Sequence, residues 1–266
     1  MTEFGAFEPR NHATTILGMP VHTPPPEVAI SGVIEWAKMR KSAYVRVVNV
    51  HQTVLSHDDP TFRSVAAGAD LAIPDSTVLR RAIAFKDGKK VAHYPRGDEL
   101  MLRLCEEAAQ EGVPVALIGG RDEQVLATIR EKLLARYPML DIAYAFSPPF
   151  RAPTQAEREL LIAELQASKA ALVFVGLGCP KQERWMAEHK PRLDATLIGV
   201  GAAFDFISGE VKPSPGWVHR AGFEWLNRLI AEPRRLAHRY FTTSPRFLWL
   251  FARELAKQSP SIRAGS

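Results

Sequence analysis

One stretch of the sequence combines glycines, a proline, a lysine and a glutamine directly after an apolar run. Gly176 and Gly178 would let the backbone approach a ligand, and Pro180 would begin a helix whose free N–H groups suit a phosphate. Lys181 would add a positive charge, and Gln182 would act as hydrogen-bond donor or acceptor. The residues leave two interpretations open, an ordinary strand-to-helix turn with solvated polar residues and a phosphate-binding turn.

A second candidate for chemistry is Asp75, which follows Pro74 at the end of another apolar run and precedes Ser76. A carboxylate at the mouth of a sheet would act as a general base toward an attacking hydroxyl. The alternative is that Asp75 caps the following helix. Asn49 would bind a sugar hydroxyl or cap a turn, and Asp205 would bind a ribose or a base, or be a turn carboxylate.

These residues must be positioned by an alternation of short apolar runs and amphipathic helices. Such alternation predicts an α/β fold with a mostly parallel, doubly wound, Rossmann-like sheet, whose ligands bind beyond the carboxyl ends of the strands. The predicted strands are Ile16–Met19, Tyr44–Val48, Leu71–Ile73, Val115–Ile118, Ile142–Ala145, Ala171–Val175 and Thr196–Val200. The predicted helices are Glu27–Arg40, Pro60–Ala67, Ser76–Phe85, Asp98–Glu111, Glu123–Arg136, Gln155–Ser168 and Lys181–Lys190.

The pattern changes near Ser208, beyond which we find no convincing strand. Three helices are predicted there, broken by Pro233 and Pro245, because proline fits the first turn of a helix and not its interior. They span Gly216–Leu229, Pro233–Phe241 and Pro245–Lys257. We therefore divide the chain into a loose N-terminal arm (1–14), an α/β body (15–210) and a C-terminal helical appendage (211–266).

Charge is distributed unevenly along the 266 residues, whose formal net charge is +5. Residues 212–266 contain ten Lys/Arg and three Asp/Glu, a net of +7, whereas residues 1–211 contain 24 and 26, a net of −2. This asymmetry indicates an anionic partner for the appendage, either a membrane surface or a nucleic acid.

The last predicted helix is strongly apolar, with flanking arginines. Its apolar residues would lie in a membrane interface while its arginines meet lipid phosphates, or the helix would pack on its own body or on a second subunit. The apolar residues are Phe247, Trp249, Leu250 and Phe251, and the arginines are Arg246 and Arg253.

The two cysteines, Cys105 and Cys179, form no C-x-x-C pair, so neither a disulfide framework nor a zinc site is expected. Cys105 lies in an amphipathic pattern and is predicted to be a core residue. The chain contains no signal-peptide pattern and no run of about 18 apolar residues. We therefore expect a location in the reducing cytoplasm.

Taken together, the ordered segments resemble the WecG/TagA/CpsF family of bacterial glycosyltransferases, glycosyltransferase family 26, from about Ile16 to Phe247. The most specific pieces are the Pro-Lys-Gln-Glu turn at 180–183 and the Glu-Pro-Arg-Arg segment at 232–235. The others are Asn49 with Asp59-Pro60, Ala69-Asp70-Leu71 leading to Pro74-Asp75, Gly97-Asp98, Gly119-Gly120, Gly176 to Cys179, Gly199 to Gly209, Glu224 to Leu229 and Arg239-Tyr240.

The resemblance implies an inverting, metal-independent hexosyltransferase that needs no cofactor. Such an enzyme moves a sugar from a UDP-sugar to an undecaprenyl-diphosphate-linked sugar in cell-surface polysaccharide or exopolysaccharide synthesis. It would be a peripheral protein on the inner face of the cell membrane, with an anionic membrane surface as partner, no nucleic acid, and homo-oligomerisation left open.

By position, the resemblance assigns roles to individual residues. Asp75 becomes the catalytic carboxylate, and Gln182, the glutamine near the donor, a second catalytic residue. Asn49 becomes the asparagine of the first motif, and Asp205 the nucleotide-associated aspartate. The appendage arginines that would face diphosphate are Arg228, Arg234 and Arg235.

The chain departs from the family pattern around the sugar and the acceptor. Val47 stands where threonine is frequent, Ser76 where glycine is usual, and Pro213-Ser214-Pro215 where Arg-Ala-Pro is usual. These departures leave the donor sugar open between N-acetylmannosamine, glucose and others.

Two other classes of function stay open from the residues. A nicotinamide-dependent Rossmann oxidoreductase would need a Gly-x-Gly-x-x-Gly turn, but Lys181 occupies the sixth position. A non-catalytic nucleic-acid binder would use the basic tail with its tryptophan and phenylalanine residues.

Overall fold

A computed structural model describes residues 7–211 and the helix 233–258, with side chains described for 7–211 and 242–257. Its centre is a six-stranded sheet in the order β4-β3-β8-β7-β5-β6, in which every neighbouring pair is parallel. The strands are β3 (Ala43–Val48), β4 (Leu71–Pro74), β5 (Val115–Gly119), β6 (Ile142–Phe146), β7 (Leu172–Gly176) and β8 (Thr196–Gly199). Two further strands, β1 (Ala13–Ile16) and β2 (Met19–His22), form a separate antiparallel hairpin.

Helices connect the strands and cover both faces of the sheet. They are α1 (Pro26–Lys38), α2 (Val50–Asp58), α3 (Pro60–Ala67), α4 (Thr77–Asp87), α5 (Gly97–Glu111), α6 (Glu123–Arg136), α7 (Gln155–Ala167), α8 (Lys181–His189), α9 (Ala203–Ser208) and, after the gap in the description, α10 (Pro233–Gln258).

The two faces of the sheet form separate apolar layers. Val45, Val47 and their neighbours on one face pack against α1, α5, α6 and α9. Tyr44 and its neighbours on the other face pack against α7 and α8, while α2, α3, α4, α10 and the hairpin form a third cluster at the β3–β4 end. Because both faces are buried, the strands read as continuous apolar runs. The predicted doubly wound, Rossmann-like α/β fold is confirmed, as is the burial of Cys105 in the core, where desolvation raises its pKa to about 12.

The prediction of one strand over Ile16–Met19 is wrong, because a hairpin turn lies in its middle. Leu17 and Gly18 both have left-handed backbone conformations, with φ of 51° and 79°. Two consecutive left-handed residues are typical of the tight turns that match the twist of a two-stranded ribbon.

The N-terminal segment is described from Phe7. The Phe7 ring lies 5.2 Å from the ring of Trp36 in α1, and residues 9–12 form a short 3₁₀ helix before β1. Part of the predicted loose arm therefore contacts the body, whereas residues 1–6 lie outside the described residues.

The predicted break at Pro245 is wrong, because α10 runs without interruption through this proline. Proline removes one hydrogen bond from a helix interior. Packing offsets this loss, because Phe247, Leu250 and Phe251 are buried against the β3–β4 end of the body.

Polar contacts at both ends of its packed stretch hold α10 in place. Arg246 donates to both carboxylate oxygens of Asp58 at the end of α2, at 2.6 and 2.9 Å. Glu254 accepts from the backbone N–H of Leu17 at 2.7 Å and from the Lys86 ammonium at 2.5 Å. Of the two alternatives for this helix, packing on the body therefore holds for three of its four apolar residues, and Arg246 pairs with a carboxylate.

The predicted helix Gly216–Leu229 lies outside the described residues. Of the helices that the structure does describe, none combines the length and the apolar character needed to cross a membrane.

Candidate functional site

The carboxyl ends of four neighbouring strands, β4, β3, β8 and β7, collect most of the predicted site residues at one edge of the sheet. Pro74 lies opposite Val48 in the β3–β4 register, and the backbone N–H of Asp75 donates to the carbonyl oxygen of Val48 at 2.8 Å. Asp75 and Asn49, which directly follow these paired residues, therefore lie at the ends of two adjacent strands. This adjacency brings together two candidates that are 26 positions apart in the sequence.

Asn49 caps α2, since its side-chain oxygen accepts from the backbone N–H of Gln52 at 3.2 Å. The sequence does not predict α2 as a helix. The capping bond from Asn49 fixes the start of α2 next to the candidate site.

The helix after β4 is capped by Ser76 and not by Asp75. The Ser76 hydroxyl accepts from the backbone N–H of Leu79 at 3.1 Å, which satisfies a donor at the start of α4. The alternative that Asp75 is the helix cap is therefore wrong. Asp75 is half-buried. Burial, and then the Arg81 charge, lower the pKa of the nearby Arg80, and the Asp75 charge opposes that fall.

The glycines of the turn after β7 have different physical roles. A Cβ at Gly176 would lie 3.0 Å from the ring of Phe204, so any larger residue there would have to displace this ring slightly. Gly178 has a φ of +73°, and a Cβ added to it would meet no heavy atom within 4 Å, so it combines a left-handed backbone with open space. Pro180 occupies the position just before α8 and makes no side-chain capping hydrogen bond, and Lys181 at the first helical position is exposed. The open side of the turn at Gly178 is where a ligand can approach.

Gln182 points into the protein. It is 3% exposed, its Oε1 accepts from the backbone N–H of Gly201 at 3.1 Å, and its Nε2 donates to Glu183 Oε1 at 2.9 Å. The amide therefore links the start of α8 to the turn after β8. In the described structure Gln182 positions one of the loops that form the site.

A buried polar network surrounds Arg46, a residue that no sequence motif marks. Arg46, in the middle of β3, donates to the carbonyl oxygen of Ala66 at 3.0 Å and to Gln52 Oε1 at 2.9 Å. The Gln52 amide in turn donates to the carbonyl oxygen of Val47 at 2.9 Å. A signal is nevertheless present in the sequence, because an arginine inside an otherwise apolar strand must find buried partners.

Glu183 extends this network from the α8 side. It is fully buried, and desolvation raises the pKa of its carboxyl group while the Arg46 charge opposes that rise. Burial likewise lowers the pKa of Arg46, and the Glu183 charge opposes that fall. The network therefore couples β3 and α2, next to Asn49, with α8 and the turn at Gly201.

Asp205 lies in the first turn of α9, directly after β8, and is half-buried. The start of α5 approaches the same turn, where a Cβ at Gly97 would lie 2.9 Å from the carbonyl oxygen of Val200. Arg96 and Asp98 form a buried ion pair of 2.9 Å there, and the Arg96 guanidinium lies 5.9 Å from the Phe206 ring centroid. Thus Gly97-Asp98, matched in the sequence, borders the site.

The appendage arginines are not placed by the structure. Arg228 lies outside the described residues, and for Arg234 and Arg235 only the backbone, within α10, is described. Within the described residues, no three His, Cys, Asp or Glu side chains are grouped so that they could hold a metal ion.

A sequence model of a protein family, described as the glycosyl transferase WecG/TagA/CpsF family, matches residues 14–261 of the chain. The match covers nearly the whole sequence, including both the body and α10. It favours the transferase interpretation over the oxidoreductase and nucleic-acid alternatives.

Proposed function

The chain belongs to the WecG/TagA/CpsF family of glycosyl transferases, and we propose that it moves a hexose-type sugar from a UDP-sugar to an undecaprenyl-diphosphate-linked sugar. Membership implies a glycosyltransferase of cell-wall polysaccharide synthesis. We further propose that UDP is the nucleotide, that undecaprenyl diphosphate is the lipid carrier, and that the reaction inverts the anomeric carbon without a metal ion.

The observation that carries the proposal is the placement of Asp75. It follows the edge strand β4, beside Asn49, while Ser76 caps the helix in its place. In the proposed reaction the Asp75 carboxylate takes the proton of the acceptor hydroxyl as that oxygen attacks the anomeric carbon. The bond from the anomeric carbon to the UDP oxygen breaks, and UDP leaves with the electron pair.

The donor is proposed to lie toward β7 and β8. The open backbone at Gly178, the exposed Lys181 and the start of α8 would contact the diphosphate. Asp205 would contact the nucleotide, and Gln182 would act by holding the turn at Gly201. Arg228, Arg234 and Arg235 would supply further positive charge for a diphosphate, in place of a metal ion.

A lipid-linked acceptor requires contact with a membrane surface, which we propose to be the inner face of the cell membrane. Leu248 and Trp249 on α10 are 59% and 57% exposed, and the Arg253 guanidinium lies 5.3 Å from the Trp249 ring centroid. Exposed apolar side chains beside arginine suit the interface of an anionic bilayer. The face that remains for lipid is therefore narrower than the sequence predicts.

The direct test is a panel of UDP-sugars with a short-chain lipid-diphosphate-sugar acceptor, read as released UDP. We expect acceptor-dependent UDP release with at least one donor, and release that persists when a chelator is present. Absence of acceptor-dependent release across the panel would contradict the proposed function.

Asp75→Asn tests the base within the same assay. Loss of a general base lowers kcat by about 10²–10⁴-fold, whereas the melting temperature and UDP binding should stay near wild type. Asp194→Asn, at an exposed turn before β8, is the matched control and should retain turnover. Wild-type kcat in Asp75→Asn would refute the assignment of the base.

A further inference from the structure

A cationic groove lies along α4, the helix that follows Asp75 and Ser76 in the chain. It has a volume of about 280 Å³ and runs between one face of α4 and the segment that follows this helix. The lining residues are Thr77, Arg80, Arg81, Ala84, Lys90 and Val91. Residues 77, 80, 81 and 84 share this face because helical neighbours recur every three to four positions.

The positive charge of the groove is only partly compensated, since the Asp75 charge acts on Arg80 whereas Arg81 and Lys90 are exposed to solvent. Arg80 is half-buried, and its hydrogen bonds within the described part of the chain are two long ones, to the carbonyl oxygen of Ala92 and to Thr77 Oγ1, each at 3.4 Å. Its Nε is buried and has no hydrogen-bond partner among the described residues. Arg81 and Lys90 are exposed, and neither forms an ion pair with a described carboxylate. A buried donor beside cations that no described carboxylate neutralises is suited to a multiply charged anion.

The position of the groove after β4 and Asp75 favours the acceptor diphosphate as the anion that it would bind. Along the carboxyl edge, the turn after β7 comes first, then β8, then β3 with Asn49, and then the edge strand β4 with Asp75. The chain continues from Asp75 through Ser76 into α4. Because the donor diphosphate is proposed at the turn after β7 and the base lies between, a ligand in the groove belongs to the acceptor side. Ala84 and Val91 give the groove an apolar part that suits the first carbons of a lipid chain.

We propose that Arg80, Arg81 and Lys90 bind the diphosphate of the lipid-linked acceptor and so place the acceptor sugar over Asp75. This inference rests on the proposed function and assigns the acceptor diphosphate a site in the body of the protein, separate from the appendage arginines. Guanidinium groups match phosphate oxygens with paired hydrogen bonds, so each lost charge weakens binding of this part of the acceptor.

The test is steady-state kinetics of Arg80→Gln, Arg81→Gln and Lys90→Gln with the diphosphate-linked acceptor. We expect each variant to raise the acceptor KM about tenfold, the effect of losing one charge-assisted contact, while the donor KM stays within about twofold. Arg130→Gln on α6 and Lys89→Gln beside the groove are controls, since both side chains are exposed and do not line it. Arg81→Gln is the decisive variant, because Arg81 is exposed and its loss removes no hydrogen bond of the described fold.

A comparison of acceptors separates the two possible sources of diphosphate. The preference for the diphosphate-linked acceptor over a neutral glycoside of the same sugar, taken as a ratio of kcat/KM values, should fall about tenfold in Arg81→Gln. A rise in the donor KM or in the inhibition constant of UDP, with the acceptor KM unchanged, would place the donor diphosphate in the groove and overturn the inference.

A binding measurement keeps this inference distinguishable from the proposed function. Calorimetric titration with a short prenyl diphosphate needs no turnover, and its affinity should fall about tenfold in Arg81→Gln and not in Arg130→Gln. If no sugar is transferred but this pattern holds, the groove is supported while the transferase proposal fails. If transfer occurs and Arg81→Gln binds the prenyl diphosphate like wild type, the groove inference fails alone.

Discussion

At the residue scale, Gln182 and Glu183 show that residues of a specific sequence motif can face the protein interior. Both side chains are buried, and their hydrogen bonds run from the backbone N–H of Gly201 through Gln182 to Glu183. The opposing charge of Arg46 then connects this chain to the start of α2 through Gln52. The motif therefore stabilises the relative positions of the carboxyl ends of β7, β8 and β3.

The buried carboxyl group of Glu183 predicts a pH dependence of stability. Because its pKa is raised in the folded protein, the folded state binds this proton more tightly than the unfolded state. Its contribution is fully present below the ordinary carboxyl pKa and is lost as the pH rises through the raised value. Urea unfolding from about pH 4 upward should show a decrease in stability over this window that is smaller in Glu183→Gln.

The matched control is Glu188→Gln, on the same helix and exposed to solvent. It should reproduce the wild-type dependence on pH. A Glu183→Gln profile parallel to that of wild type would show that Glu183 has no raised pKa in the folded protein.

At the element scale, α10 shows tertiary packing overriding a local helix breaker. Pro245 lies within the helix, yet Phe247 is fully buried and its ring stacks on Phe251 with centroids 5.9 Å apart and planes 4° apart. Burial of these rings against α2 and the β1–β2 hairpin outweighs one missing backbone hydrogen bond. The helix is thereby attached to the catalytic body at the β3–β4 end.

Phe247→Ala tests this attachment. Removing a fully buried phenylalanine should lower the free energy of unfolding by about 3–5 kcal/mol, measured by urea denaturation. Leu248→Ala, at the adjacent exposed position, should change it by less than about 0.5 kcal/mol. Equal small effects at both positions would mean that α10 is not packed as described.

At the scale of the whole molecule, the doubly wound sheet places the proposed chemistry at one edge and α10 beside β3 and β4. Leu248 and Trp249 are exposed on this helix, and the described part of α10 carries six Lys/Arg and one Glu. A membrane-bound acceptor would therefore meet the base, the cationic groove and the exposed face of α10 at the same end of the sheet.

The double substitution Leu248→Ser and Trp249→Ser should weaken binding to anionic vesicles at least about tenfold, because about 2 kcal/mol of apolar burial is lost. Co-sedimentation with vesicles that contain phosphatidylglycerol measures this directly. Met139→Ser removes an apolar side chain that is 79% exposed elsewhere and should leave sedimentation unchanged. Undiminished sedimentation of the double variant would contradict the membrane face.

Local signals in the sequence determine much of the fold and the identity of the candidate site. The sequence predicts α6 with its observed ends, Glu123–Arg136, and each of the strands β3 to β8 within one residue at either end, because period and capping act over a few neighbouring residues. Asp75 and Asn49 are likewise marked by their places after apolar runs.

Only the tertiary structure decided what depends on contacts between distant residues. It decided that Ser76 caps α4 in place of Asp75, that Gln182 faces inward to Gly201, that Arg46 and Glu183 share a buried network, and that Arg80 lines a groove. Glu254 and Leu17 are 237 positions apart, yet their hydrogen bond helps to hold α10 on the hairpin. The direction and the burial of a side chain depend on how whole helices and strands pack together. A local sequence pattern carries no information about that packing.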